Sequence, residues 1–168
     1  MKPLRLLLVT VLAVAAFWPR LGAAQGQKSK ELLITARNLT AEAAAERGGK
    51  ASARPGDEIG YTLDFTNVTG GPVQNVQLVD SIPQGMTYVL GSAAADRPAR
   101  INYSIDGGKT YTAQPMITAI EDGKKVEKPA PRELYTHVRW TVLSPVAPGA
   151  RVVTQLRTQV NAAPGEAK

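Results

Sequence analysis

His137 is the single histidine of the chain, and cysteine is absent. Without thiols there is no thiolate nucleophile, no disulfide and no sulfur-ligated metal site. His137 has no second histidine with which to share a metal. No Gly-x-Ser-x-Gly elbow supplies a serine for it to activate. The alternation of Val138, Trp140 and Val142 with His137, Arg139 and Thr141 predicts an exposed structural histidine on a polar face. The acids Asp57, Glu58, Asp64, Asp80 and Asp106 are the other candidates. Calcium takes several oxygens converging from closely spaced residues, and no Asp-x-Asp-x-Asp run occurs. These acids stand at or near turn residues, so the expectation is capping of backbone N–H groups. Their spacing makes no case for glycosidase-type paired carboxylates. The expected catalytic, cofactor and metal sites are therefore none, and an enzyme is not indicated.

Two further groups have polar chemistry. Lys124, Lys125 and Lys128 cluster in a segment that reads as a solvated loop, with contact to an anionic envelope polymer as the alternative. Asn38, Asn67 and Asn102 open Asn-x-Ser/Thr sequons, which in a bacterial chain read as coincidences of strands rich in Asn and Thr.

These residues must be positioned by elements that follow an N-terminal export signal. Lys2 and Arg5 precede an apolar run from Leu6 to Trp18, broken only by Thr10, and Gly22 and Ala24 are small. A run of about a dozen residues is short for a bilayer span of roughly 20 and suits a signal-peptide core. The pattern predicts a signal peptide over 1–24 with cleavage after Ala24; an uncleaved anchor is the alternative. No Cys near the cut offers a lipid attachment. The mature chain, 25–168, has 168 − 24 = 144 residues, enough for one domain. Loss of Lys2, Arg5 and Arg20 lowers the net charge from +6 to 6 − 3 = +3. The remaining cations are scattered among acids, so nucleic-acid binding is not indicated. After cleavage the chain is not expected to be an integral membrane protein; the expected location is the periplasm or beyond.

The dominant period of the mature chain is two. Ile59, Tyr61, Leu63 and Phe65 alternate with Gly60, Thr62 and Asp64. Ile101, Tyr103 and Ile105 alternate with Asn102 and Ser104. Val152, Thr154, Leu156, Thr158 and Val160 oppose Gln155, Arg157 and Gln159. Such alternation marks half-buried strands. Weaker strands are read at Leu32, Ile34 and Ala36, at Val76 and Leu78, and at Met86, Tyr88 and Leu90. Turn signals separate them: Arg54-Pro55-Gly56-Asp57, Asn67 to Pro72, Ser81 to Gly85, Asp106 to Lys109, and Pro148-Gly149. About seven to eight short strands punctuated in this way predict an all-β antiparallel sandwich of immunoglobulin type, with its core within 31–160. Leu39 to Ser52 reads equally as a short helix or as a hairpin across Gly48-Gly49. Thr112 to Glu133 reads as a long surface loop with a short strand at Met116 to Ile120.

Arg54-Pro55-Gly56-Asp57 followed by Tyr61-Thr62 and Thr66-Asn67 resembles the opening of the bacterial "conserved repeat domain" family, a domain of unknown function. The series continues through Asn75-Val76, Val79-Asp80-Ser81-Ile82-Pro83, Gly85-Met86-Thr87-Tyr88-Val89 and Gly91-Ser92, then Trp140 and Pro148-Gly149-Ala150. Tyr103 to Tyr111 resembles a version found in small exported proteins of Gram-negative bacteria. The resemblance implies an immunoglobulin-like sandwich on exported or surface proteins, without an implied activity. It also implies structural duties: Gly56 for a tight turn, Asp57 and Asn67 as caps, Asp80 as a pin for the loop through Pro83, and Trp140 and Tyr61 as core. One copy of the motif series is present, which favours a free-standing module over a link in a repeat stalk.

The expected function is a non-catalytic exported envelope module. It binds an unknown protein or supports an assembly, and an edge strand is the natural contact. The alternative is a carbohydrate- or polymer-binding module displaying Tyr88, Tyr111 and Tyr135 on one exposed face. The oligomeric state is not fixed by these residues.

Overall fold

The computed structural model describes residues 31–45 and 53–162. The expected signal peptide, its cleavage site and the Gly48-Gly49 hairpin lie outside the described residues. The fold is all-β with antiparallel sheets. Ten strands occur among the described residues: β1 Leu32–Asn38, β2 Glu58–Thr66, β3 Gln77–Ser81, β4 Met86–Tyr88, β5 Ala94–Ala95, β6 Ala99–Ser104, β7 Met116–Glu121, β8 Lys124–Pro129, β9 His137–Val142 and β10 Arg151–Val160. One helix, α1, spans Leu39–Ala45.

The larger sheet runs β1-β2-β10-β4, with β5 also on β10. The smaller sheet runs β3-β9-β6. Alternation explains why each has a dry face. In β10, Val152, Thr154, Leu156 and Thr158 are buried. In β9, Val138, Trp140 and Val142 are buried. Leu63, Tyr88, Val152 and Leu156 from the larger sheet form one cluster with Leu78, Val138, Trp140 and Val142 from the smaller. The core therefore lies between the two sheets. Fully burying a side chain of this size contributes about 1.5–3 kcal/mol, so these few positions carry the fold without a disulfide.

The edges of β10 differ. One is paired along nearly its whole length with β2, from Arg151↔Thr66 to Gln159↔Glu58. The other meets two short strands in turn, β5 at Thr154 and Gln155 and β4 from Thr158 to Val160. Ser92 bridges the gap between them: its hydroxyl accepts from the Arg157 backbone N–H at 2.9 Å.

Several expectations are refined. Of the two readings of 39–52, the described part is helical, over Leu39–Ala45. Leu90 does not extend β4; it stands in a turn and is exposed. The short strand expected at Met116 to Ile120 is present as β7, and the rest of the segment read as a surface loop supplies its partner β8, the two forming a hairpin in full register from Met116↔Pro129 to Glu121↔Lys124. Its turn is Asp122-Gly123, both at positive φ (50° and 75°), the backbone that a tight two-residue hairpin turn requires. The ribbon is weakly sided: Ile117, Ala119 and Val126 share one half-buried face, while Ile120 on the other is 74% exposed. At its root Pro115 and Ala130 are buried and joined by a backbone hydrogen bond of 2.9 Å. No helix among the described residues is long and apolar enough to cross a membrane.

Candidate functional site

Asp57 and Asn67 sit where the motif reading placed them, as caps. The Asp57 carboxylate accepts from the Arg54 backbone N–H and from the Asn38 amide, both at 2.9 Å. These bonds hold its carboxyl below the usual carboxylate range, the Asn38 bond most strongly. Asn67 is buried. Its amide donates to the carbonyls of Gly71 and Val146 at 2.9 and 2.8 Å, and its oxygen accepts from the Thr69 backbone. Both residues thus lock the ends of β2, and the sequon asparagines Asn38 and Asn67 are committed to structure.

Asp80 departs from its expected role as a loop pin. Its register opposite Val138 turns it to the core side of the smaller sheet. One carboxylate oxygen is buried without a partner, and burial pushes its carboxyl above the usual range. Nearby core polarity is handled by sulfur: the hydroxyls of Tyr61 and Thr158 both donate to Met86 Sδ, at 3.3 and 3.2 Å. Trp140 Nε1 finds no acceptor among the described residues.

The tyrosines do not form a display. Tyr88 is buried, and it forms a closed trio with Tyr103 and Tyr135, ring centroids 5.4–5.5 Å apart. Tyr111 lies elsewhere, with the Arg139 guanidinium 4.1 Å from its ring centre. No two of Tyr88, Tyr111 and Tyr135 stand bare on one face. The five acids do not converge, and no metal-ligating group of three residues forms among the described residues. A hollow of about 190 Å³ on the larger sheet, lined by Leu39, Gly60, Thr62, Ser92 and Gln155, is small beside the roughly 300–1,000 Å³ of ligand pockets. Gly60 lets Leu39 lie close over the sheet there: a Cβ would meet the Leu39 side chain at 3.1 Å and displace it.

What the chain does bring together is the outward face of the smaller sheet. Register places Gln77, Thr141 and Arg100 in one row, Val79, Arg139 and Asn102 in the next, and Ser81, His137 and Ser104 in the third. Arg139 is the centre of this grid. The loop from Ile105 to Tyr111 folds over the third row. Gly107 and Gly108 turn it at positive φ (76° and 83°). A Cβ on Gly108 would meet the Tyr111 hydroxyl at 3.2 Å and the His137 ring at 3.4 Å.

Asp106 organises that loop. Its carboxylate accepts from the backbone N–H groups of Lys109 and Thr110 and from the hydroxyls of Thr110 and Ser104. These bonds hold its carboxyl far below the usual range, the Thr110 hydroxyl most of all. Ser104 is buried under the loop and accepts from Gly108 N–H at 2.9 Å. His137 is half-buried rather than freely exposed. The Thr136 hydroxyl donates to the Ser104 carbonyl and accepts from Gly107 N–H. His137 Nδ1 lies 3.1 Å from the same hydroxyl, within hydrogen-bond distance.

Arg139 is the anomaly. Its Nε is buried without an acceptor, and its guanidinium makes no ion pair among the described residues. A buried donor left unsatisfied costs about 1–3 kcal/mol, more on a charged group. Sequence reasoning placed Arg139 on a polar face but gave no sign of its isolation. That isolation depends on which residues neighbouring strands and the Tyr111 loop bring alongside.

No protein-family model matches the chain, and no curated protein matches it.

Proposed function

We propose that the chain is an exported, non-catalytic module of immunoglobulin-like sandwich type that joins another protein through the free edge of β1. The observation that carries this reading is β1 itself. It pairs with β2 over seven residues, Leu32↔Phe65 to Asn38↔Ile59, and ends the path of the larger sheet. Leu32 and Ile34 share the face of Leu63, yet Ile34 is 50% exposed. Leu33, on the opposite face, is 46% exposed. Among the described residues no strand covers this edge, and its Leu32 to Ala36 stretch carries apolar side chains on both faces with no charge or proline before Arg37, so it has few of the devices that keep sheet edges apart. Strand addition satisfies such an edge, with backbone hydrogen bonds giving affinity and side-chain pockets giving choice of partner. The sandwich reading is supported by one core shared between two antiparallel sheets and by the ordered Pro-Gly-Asp…Trp140…Pro-Gly series, whose Asp57 and Asn67 serve as caps. The signal-like 1–24 segment supports export. The polymer-binding alternative receives no support from the buried or occupied tyrosines.

The test is a pull-down from envelope extract with residues 25–168 as bait, beside the same bait carrying Leu33→Lys and Ile34→Lys. A partner enriched by the first and lost with the second is expected. A monodisperse monomer by light scattering, with no partner enriched, would overturn the reading.

A further inference from the structure

We propose that the outward face of the smaller sheet is an oxyanion site centred on Arg139, and that its ligand is a phosphate group. This goes beyond the β1 edge and concerns a different surface. Three observations carry it. First, the Arg139 guanidinium is fixed on the Tyr111 ring, with the ring centre 4.1 Å from Cζ and Nε buried without an acceptor. Nε is shielded from solvent, so the two Nη groups form the outward edge, and an edge whose position is set before anything binds is suited to bidentate oxyanion capture. Second, the nine grid positions contain no carboxylate. Of the acids nearby, Asp106 already has its oxygens taken by Ser104, Lys109 and Thr110, and Asp80 is turned to the core side of the sheet. Third, the surroundings add charge and donors of the right kind. Arg100, one row over on β6, is exposed and makes no ion pair among the described residues. Asn102, whose side chain carries an amide donor, is the register partner of Arg139 on β6. Two unpaired guanidiniums favour a dianionic phosphate over a singly charged carboxylate.

Phosphate reaches such a site as the free ion or as a group along a polymer. The probes are therefore inorganic phosphate, a short glycerol-phosphate oligomer and acetate. Each is titrated into the purified protein at constant ionic strength and followed by amide and Arg Nε–H chemical shifts. Inorganic phosphate is expected to shift Arg139 Nε–H and the backbone amides of Asn102 and Tyr111, and acetate to bind about tenfold more weakly. If the oligomer binds more tightly than the ion, the source is a polymer; equal affinity per phosphate makes it the free ion. Arg139→Met is expected to abolish the shifts. Arg139→Lys keeps the charge without the fork and should weaken binding about tenfold. Shifts spread over all basic residues, or equal binding of acetate and phosphate, would overturn the proposal. These wild-type readouts decide the matter even if an Arg139 variant fails to fold.

Discussion

The outward faces of the two sheets treat arginine in opposite ways. On the larger sheet Arg151 pairs with Asp64, and Arg157 with Glu58 at 2.9 Å. Both are diagonal neighbours on β10 and β2. Arg37, on β1, is clasped by Glu42 of α1. On the smaller sheet Arg139 and Arg100 have no carboxylate within the grid. Diagonal opposite charges on a sheet contribute a few tenths to about 1 kcal/mol each, so the paired face is self-sufficient in water. The other face carries comparable charge with no internal answer to it. The difference teaches where to look for a ligand: not where charge is densest, but where it is left over.

That contrast rests on a shared floor, which the harshest perturbation addresses. Trp140 supports Arg139 from the core side of β9, as Leu63 supports the larger sheet. Trp140→Ala is expected to cost about 3–5 kcal/mol and Leu63→Ala about 2–5 kcal/mol, measured by urea denaturation. Both variants should unfold in a single transition. Two transitions in either would mean that the sheets do not share one core, and the comparison would lose its basis.

A milder change separates the faces. Asp106→Ala removes the acceptor that gathers Ser104, Lys109 and Thr110, so the loop should loosen and Tyr111 leave Arg139. Hydrogen exchange is expected to quicken at Gly107 to Tyr111, while the β2–β10 ladder keeps its protection. Equal loss of protection in both sheets would remove the distinction between a locally built face and a globally built one.

The smallest change makes one face imitate the other. Asp64→Asn leaves Arg151 unpaired, as Arg139 is, and should cost about 1 kcal/mol or less because the Arg151 side of the pair stands in water. Pairing lowers the Asp64 carboxyl in the folded chain. Its contribution is thus present above the unfolded carboxylate range and lost as pH falls through the folded value. The wild type should therefore lose stability more steeply than the variant in acid, seen as a difference in Tm between neutral pH and pH values below the ordinary carboxylate range. A variant as acid-sensitive as the wild type would show that the pair contributes nothing.

The legible parts of the fold are those with one wet and one dry face. β2, β9 and β10 announced themselves by alternation, and Leu63, Trp140 and Leu156 are buried on the expected sides. In the β7–β8 ribbon the strand at Met116 to Ile120 was legible; β8 was not, because its side chains are nearly all exposed and mostly charged, and Asp122-Gly123 was the signal of the turn that makes it. Asp80 was misjudged because a carboxylate beside a loop reads as a cap, whereas its register with Val138 turns it inward. The phosphate-site candidate was half legible. His137 and Arg139 fell on the polar face as expected. Tyr111 reaches Arg139 only through a loop whose path depends on Asp106 and two glycines, and the absence of a partner carboxylate is a property of three strands at once.

The place of β10 in the larger sheet has a consequence for how the chain is born. It is the last described strand in the sequence, yet β4 and β5 depend on it for a neighbour and β2 for its second one. Until residues 151–160 have left the ribosome, only the β1–β2 pair of that sheet can form, and two strands alone are marginal in water. The nascent polypeptide therefore stays open through most of its synthesis and closes late, around long-range contacts that form slowly. Such a chain remains threadable for as long as it is being made.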